Sequence, residues 1–115
     1  MKFKHIERKL NAKGTRQIDR YQMGNYKILI STDIENEIND IWSITITPIS
    51  REYPYISVED LRDFDTESCR WVGEFDFTIS KPRICGSMTI EETKDLIEKY
   101  QEALKVVEFV KNTFC

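Results

Sequence analysis

The sequence predicts an α+β domain: a four-stranded antiparallel β-sheet with a short N-terminal helix and a long C-terminal helix packed on one face. Three features lead there. Thr89-Ile90-Glu91-Glu92 reads as a capping box followed by apolar residues at helical spacing. Trp42-Ser43-Ile44-Thr45-Ile46-Thr47 alternates apolar and hydroxyl side chains without a break, the pattern of a half-buried strand. Two strand-like runs flank Gly24-Asn25, a pair suited to a two-residue hairpin turn. With 115 residues, 40% of them hydrophobic and only 4 Gly and 3 Pro, the chain has material for one core and reads as a single domain over 1–115.

Taken in order, Phe3, Ile6 and Leu10 stand three and four apart, which predicts a short basic helix with Gly14 as its stop. Arg16 to Met23 and Tyr26 to Thr32 are the arms of the hairpin, and Gly24 at the first turn position suggests type II′. In the third strand Trp42, Ile44 and Ile46 should face inward, with Pro48, which has no backbone donor, ending it. Residues 51–68 are expected to form a long connection holding a short helix near Val58 to Phe64, capped by Ser57. Trp71, Gly73, Phe75, Phe77 and Ile79 alternate with polar neighbours as a fourth strand with an aromatic inner face. The last helix should start at Ile90 and bury Leu96, Ile97, Tyr100, Leu104, Val107 and Val110, with Ala103, Val106 and Phe109 widening the stripe. The element order is α-β-β-β-(α)-β-α.

No apolar run nears the roughly 20 residues of a membrane helix, and Met1-Lys2-Phe3-Lys4-His5 lacks the apolar core of a signal peptide. A cytoplasmic, non-membrane location is expected. Cys69, Cys85 and Cys115 are an odd, widely spaced set without a C-x-x-C pair, so free thiols are expected, Cys85 as a small buried one. The abundance of isoleucine beside only Ala12 and Ala103 suits an AT-rich genome.

Charge is distributed unevenly. Residues 1–27 carry eight Lys or Arg against Glu7 and Asp19, a local +6 inside a chain of net charge -3. Between Asp33 and Glu67 ten acids face only Arg51 and Arg62. The chain is therefore electrically polarised.

His5 is the sole histidine, which removes multi-histidine metal sites and leaves a nucleophilic triad no usual base outside the N-terminal segment. Neither G-x-x-x-x-G-K-[ST] nor G-x-G-x-x-G is present. Asp63-Phe64-Asp65-Thr66-Glu67 is superficially similar to a calcium loop, but Ser68 stands where the turn needs glycine. The expectation is a protein with no catalytic residue, metal or cofactor.

What remains is surface. The acids Glu35, Glu37, Asp40, Glu59, Asp60, Asp63, Asp65 and Glu67 either face water or present a phosphate-like surface to a basic protein. Tyr53 and Tyr55 beside them are hot-spot residue types, though they could equally tuck under the sheet. The reading ranked first is a non-enzymatic protein-binding module, most specifically a small phage or mobile-element inhibitor of the anti-CRISPR kind that occludes a host defence nuclease. An immunity protein against a toxin has the same physical profile. The other alternative is nucleic-acid binding by Lys9, Lys13, Arg16 and Arg20, which a sequence pI of 5.2 disfavours. Leu29 and Val72, apolar on otherwise polar strand faces, are compatible with a homodimer.

Overall fold

The computed structural model describes residues 1–35 and 39–115. Among these residues are eight strands and one helix: β1 (Phe3–Leu10), β2 (Arg16–Met23), β3 (Tyr26–Asp33), β4 (Ile41–Pro48), β5 (Ile56–Asp60), β6 (Asp63–Asp65), β7 (Arg70–Val72), β8 (Phe75–Ile79) and α1 (Ile90–Phe114). Strands β1 to β4 form an antiparallel meander. The turn between β2 and β3 is Gly24-Asn25 as expected, and of the two only Gly24 has positive φ, +57°, as type II′ requires. A Cβ on Gly24 would lie 2.6 Å from Glu102 Oε1, so this turn also passes close under α1.

The expected N-terminal helix is instead the edge strand β1. Its apolar spacing is misleading because the register shifts between His5 and Glu7, leaving Ile6 as an unpaired bulge residue 56% exposed. Phe3, His5 and Arg8 face inward with Met23, Tyr21 and Asp19, their partners on β2. Positive φ at Gly14 serves the β1–β2 turn rather than a helix stop.

Residues 56–79 form one long antiparallel ribbon, which corrects two further expectations. The register of β5 with β8 (Asp60 opposite Phe75) continues unchanged into β6 with β7 (Asp63 opposite Val72). Between these halves Leu61 N–H donates to Glu74 C=O at 3.1 Å. The short helix expected near 58–64 is therefore strand: Ile56 and Val58 alternate with Ser57 and Glu59, a period of two that outweighs the cap-like Ser57. The single strand expected over 71–79 is broken at Gly73, whose φ of +123° kinks the ribbon.

The core lies between the inner faces of β2, β3, β4, β5 and β8 and one side of α1. It contains Met23, Tyr26, Ile28, Ile30, Ile44, Ile46, Ile56 and Phe75 with Ala103, Val106, Val107 and Val110. The Tyr26 hydroxyl, fully buried, donates to Pro54 C=O at 2.7 Å and ties the β4–β5 connection to the sheet. Helix α1 starts at Ile90 with both halves of the capping box formed, as expected. At 25 residues it is about 37 Å long. Its buried stripe is narrower than the sequence suggests, because Ile97 and Leu104 point to solvent and only the Ala103–Val110 stretch is fully covered. The Ala and Val side chains there share one core cluster with the isoleucines of β3 and β4.

Trp42 is a further correction. A second register shift, between Ser31 and Thr32, leaves Trp42 without a partner and turns it outward, 40% exposed, while Ile41 packs against the core. Cys85 is exposed, as are Cys69 and Cys115. No helix among the described residues is long and apolar enough to cross a membrane.

Val106→Ala is expected to lower unfolding free energy by about 1.5 to 3 kcal/mol, from two lost methyl groups and the residual cavity. Leu104→Ala should change it by less than about 0.5 kcal/mol because its side chain is exposed. Urea denaturation of the two variants checks which helix face is buried.

Candidate functional site

The outer half of the ribbon projects beyond the helix that covers its inner half. Phe64 and Trp71 are cross-strand partners in phase with the buried Phe75, but they lie past the end of α1. The two rings meet edge-on at 5.4 Å, and Trp71 meets Trp42 of β4 edge-on at 6.3 Å. Phe64 remains 49% exposed and Val72 58%. Between Trp71, Phe75, Phe77 and the Phe114 end of α1 lies a hollow of 590 Å³.

Arg62 holds the ribbon in place. Its side chain is largely buried, with Nε and Nη2 donating to the two oxygens of Asp60 at 2.9 and 3.1 Å and Nη2 to Trp42 C=O at 3.4 Å. The guanidinium carbon sits 4.2 Å from the Phe75 ring centroid and 5.4 Å from that of Trp71. Gly73 passes so close that a Cβ there would lie 3.1 Å from Arg62 Cα. Arg70 adds a second tie, 2.7 Å from Asp40. The Arg62 hydrogen bonds hold the Asp60 carboxyl below its usual range, and the Arg70 hydrogen bond does the same for Asp40, each against a smaller opposing effect of burial.

These contacts sort the acids that sequence reasoning grouped together. Asp40 and Asp60 are bound within the fold. Asp65 accepts from Ser68 Oγ at 2.7 Å and from Glu67 N–H at 3.2 Å, shaping the ribbon tip. Asp63 and Glu67 are exposed and have no ion-pair partner among the described residues. Glu59 is exposed directly opposite Asp76, a like-charge pair on the outer face of the ribbon. Glu35 is exposed after β3, and Glu37 lies outside the described residues.

The tyrosine pair divides. Tyr53 is tucked in, its hydroxyl accepting from Asn25 Nδ2 at 2.8 Å and its ring edge-on to Tyr26 at 6.1 Å. Tyr55 is exposed beside the N-terminal half of α1, where it lines a hollow with Lys99 and Tyr100. The aromatic end of the ribbon lies by Lys111 and Phe114, at the other end of the helix. Tyr55 and the ribbon tip therefore do not form one surface.

The basic residues gather better. Cross-strand pairing puts Lys9 and Arg20 on the outer face of the meander, and Arg16 joins them with its guanidinium carbon 3.7 Å from the Trp42 ring centroid. Lys13 stands in the exposed β1–β2 turn.

Sequence reasoning missed the role of Asp19. It is buried on the inner face, in phase with Tyr21 and Met23, and that alternation was the available signal. Its carboxylate accepts from Arg8 Nε at 2.8 Å and Gln17 Nε2 at 3.1 Å and lies 2.8 Å from His5 Nε2. Burial raises the Asp19 pKa, but the hydrogen bonds from Arg8, His5 and Gln17 together outweigh it, and the net shift is downward. Beside it Phe3, Tyr21, Phe109 and Phe114 form an aromatic cluster that fastens the end of α1 to β1 and β2.

Among the described residues no three His, Cys, Asp or Glu side chains gather as a metal ion would require. No known family model matches the chain, and comparison with curated proteins and with solved structures returns no significant match.

Because the Asp19 pKa is lower in the folded state, its stabilisation is full above the unfolded carboxylate value of about 3.9 and is lost as pH falls through the folded value. Wild-type stability should therefore drop below about pH 4 partly through this group. Asp19→Ala should cost about 1 to 3 kcal/mol at pH 7 and flatten that part of the profile, since Arg8 and His5 are exposed enough to be rehydrated. Urea midpoints between pH 2 and 7 check both points.

Proposed function

We propose that this protein is a non-enzymatic module that binds a protein partner through the outer end of the β5–β8 ribbon. In its most specific form it is a small phage or mobile-element inhibitor that occludes the basic groove of a host defence nuclease. The observation that carries the reading is the aromatic end of the ribbon, in which Phe64, Trp71 and Trp42 lie outside the core and Asp63 and Glu67 stand beside them without ion partners. Aromatic anchors rimmed by charge are what binding hot spots are built from.

The surroundings favour a pre-formed contact. Arg62 and Arg70 fix the ribbon, so little order has to be gained on binding. The facing Glu59 and Asp76 repel each other in the free protein, and a cationic surface laid against them relieves that repulsion. A groove built for phosphates attracts carboxylates through the same long-range field. Tyr55, at the other end of α1, plays no part in this contact.

Immobilised wild-type protein should retain one stoichiometric protein from a lysate of its source cell, released as salt rises. Phe64→Ser with Asp63→Lys should lose it while still unfolding cooperatively in urea, at a cost of no more than about 1.5 kcal/mol from the lost edge-on contact with Trp71. A retained set identical for wild type and variant would refute the ribbon as the contact, and a captured toxin would move the protein to the immunity class.

A further inference from the structure

The outer face of the meander is a different surface with the opposite charge, and we infer that it binds single-stranded nucleic acid. Cross-strand pairing fixes its rows. Lys4, Gln22, Lys27 and Thr47 form one; Glu7, Arg20, Leu29 and Thr45 the next; Lys9, Ile18, Ser31 and Ser43 the third. Arg16 closes the face, stacked on Trp42. Five cations thus stand against Glu7 and Asp33, a local +3 on a chain whose net charge is -3.

The chemistry of the face is that of a phosphodiester strand with free bases. Rows two residues apart along a strand are separated by about 6.8 Å, so the face from Arg16 to Gln22 runs about 20 Å, room for several nucleotides. Between Arg20 and Lys27 lies a hollow of 420 Å³ with Ile6 and Leu29 among its apolar lining and Thr45 and Thr47 at its side. It offers cations for phosphate, hydroxyls for base edges and an apolar surface for a base. At the other end the Arg16 guanidinium carbon sits over the Trp42 ring, 3.7 Å from its centroid, and bases stack on arginine planes as they do on aromatic rings. A duplex hides its bases and would touch a flat sheet only through phosphates, leaving the hollow and the Arg16 plane unused. The face also keeps clear of the core: Lys27, Thr45 and Thr47 are exposed, and apart from Ser31, which is buried, the covered residues of these strands lie on the opposite side.

This inference does not rest on the ribbon reading: the two surfaces share Trp42, but Arg20, Lys27 and the hollow between them are not needed for the ribbon contact. The test is fluorescence anisotropy of the full chain with labelled dT12, U12 and a 12-base-pair duplex, in 50 to 300 mM salt, with phosphatidylserine vesicles as a separate probe. Single strands should bind at 50 mM salt, with log affinity falling against log salt at a slope of about -2, as release from three phosphates predicts. Arg20→Glu with Lys27→Glu should weaken binding at least tenfold, whereas Lys105→Glu on the wet side of α1 should change it less than twofold. Binding of dT12 and U12 alike reads the shared backbone and bases; a preference for one identifies which nucleic acid is held. No single-strand binding at 50 mM salt, duplex binding as tight as single-strand binding, equal loss in the Lys105→Glu variant, or binding to vesicles in place of oligonucleotides would each overturn the inference.

Discussion

Everything else in the structure depends on one contact, the seating of Ala103, Val106, Val107 and Val110 against the isoleucines of β3 and β4. A four-stranded meander has a single apolar face here, and a ribbon of two strands cannot bury its own side chains. One helix stripe satisfies both, because the meander and the inner half of the ribbon share it. The β2–β3 turn passes under Glu102, which a Cβ at Gly24 would meet at 2.6 Å and which accepts from Asn25 Nδ2. The buried hydroxyl of Tyr26 and the buried carboxylate of Asp19 are tolerated in this interior only because each has hydrogen-bond partners.

The same contact decides what is left outside. α1 covers the middle of the molecule and no more, so the ribbon overruns it with Phe64 and Trp71, and the other side of the meander faces solvent. The result is elongated, with principal extents of 55 × 28 × 22 Å and a radius of gyration of 16.8 Å where a compact chain of this length would have about 13 Å. The polarised charge of the sequence becomes spatial: cations on the outer face of the meander, unpaired carboxylates on the ribbon. Carboxylates bound to Arg62 and Arg70 do structural work, which is why counting acids along the chain overstated the acidic surface.

How much of this the sequence disclosed depended on whether a local pattern had one meaning. The capping box at Thr89 and the Gly24-Asn25 turn did, because each is specified by residues in contact with one another along the chain. The alternation of β4 was read correctly for Ile44 and Ile46 and failed at Trp42, where a bulge reverses the phase without leaving a mark in composition. A bulge also made Phe3, Ile6 and Leu10 imitate a helix. In residues 56–65 a strand period of two competed with a helix-like cap, and the deciding partner of β5, strand β8, lies fifteen or more residues away. The burial of Asp19 follows from strand phase, yet its reason, the convergence of Arg8, His5 and Gln17, needs the β1–β2 register. Among the site residues, Arg62 was the least legible, since its role is set by Asp60, Trp71 and Phe75 together.

On this view α1 and the meander are a single cooperative unit, with the outer ribbon as an attachment secured by two arginines. Native-state hydrogen exchange tests that claim most directly. The amides of Val106, Val107 and Val110 should open with the same free energy as those of Ile28, Ile30 and Ile44, close to the global unfolding value, while residues 63–72 open at lower cost. Helix amides exchanging freely while the meander stays protected would contradict it, because the contact on which the fold is argued to depend would then be dispensable.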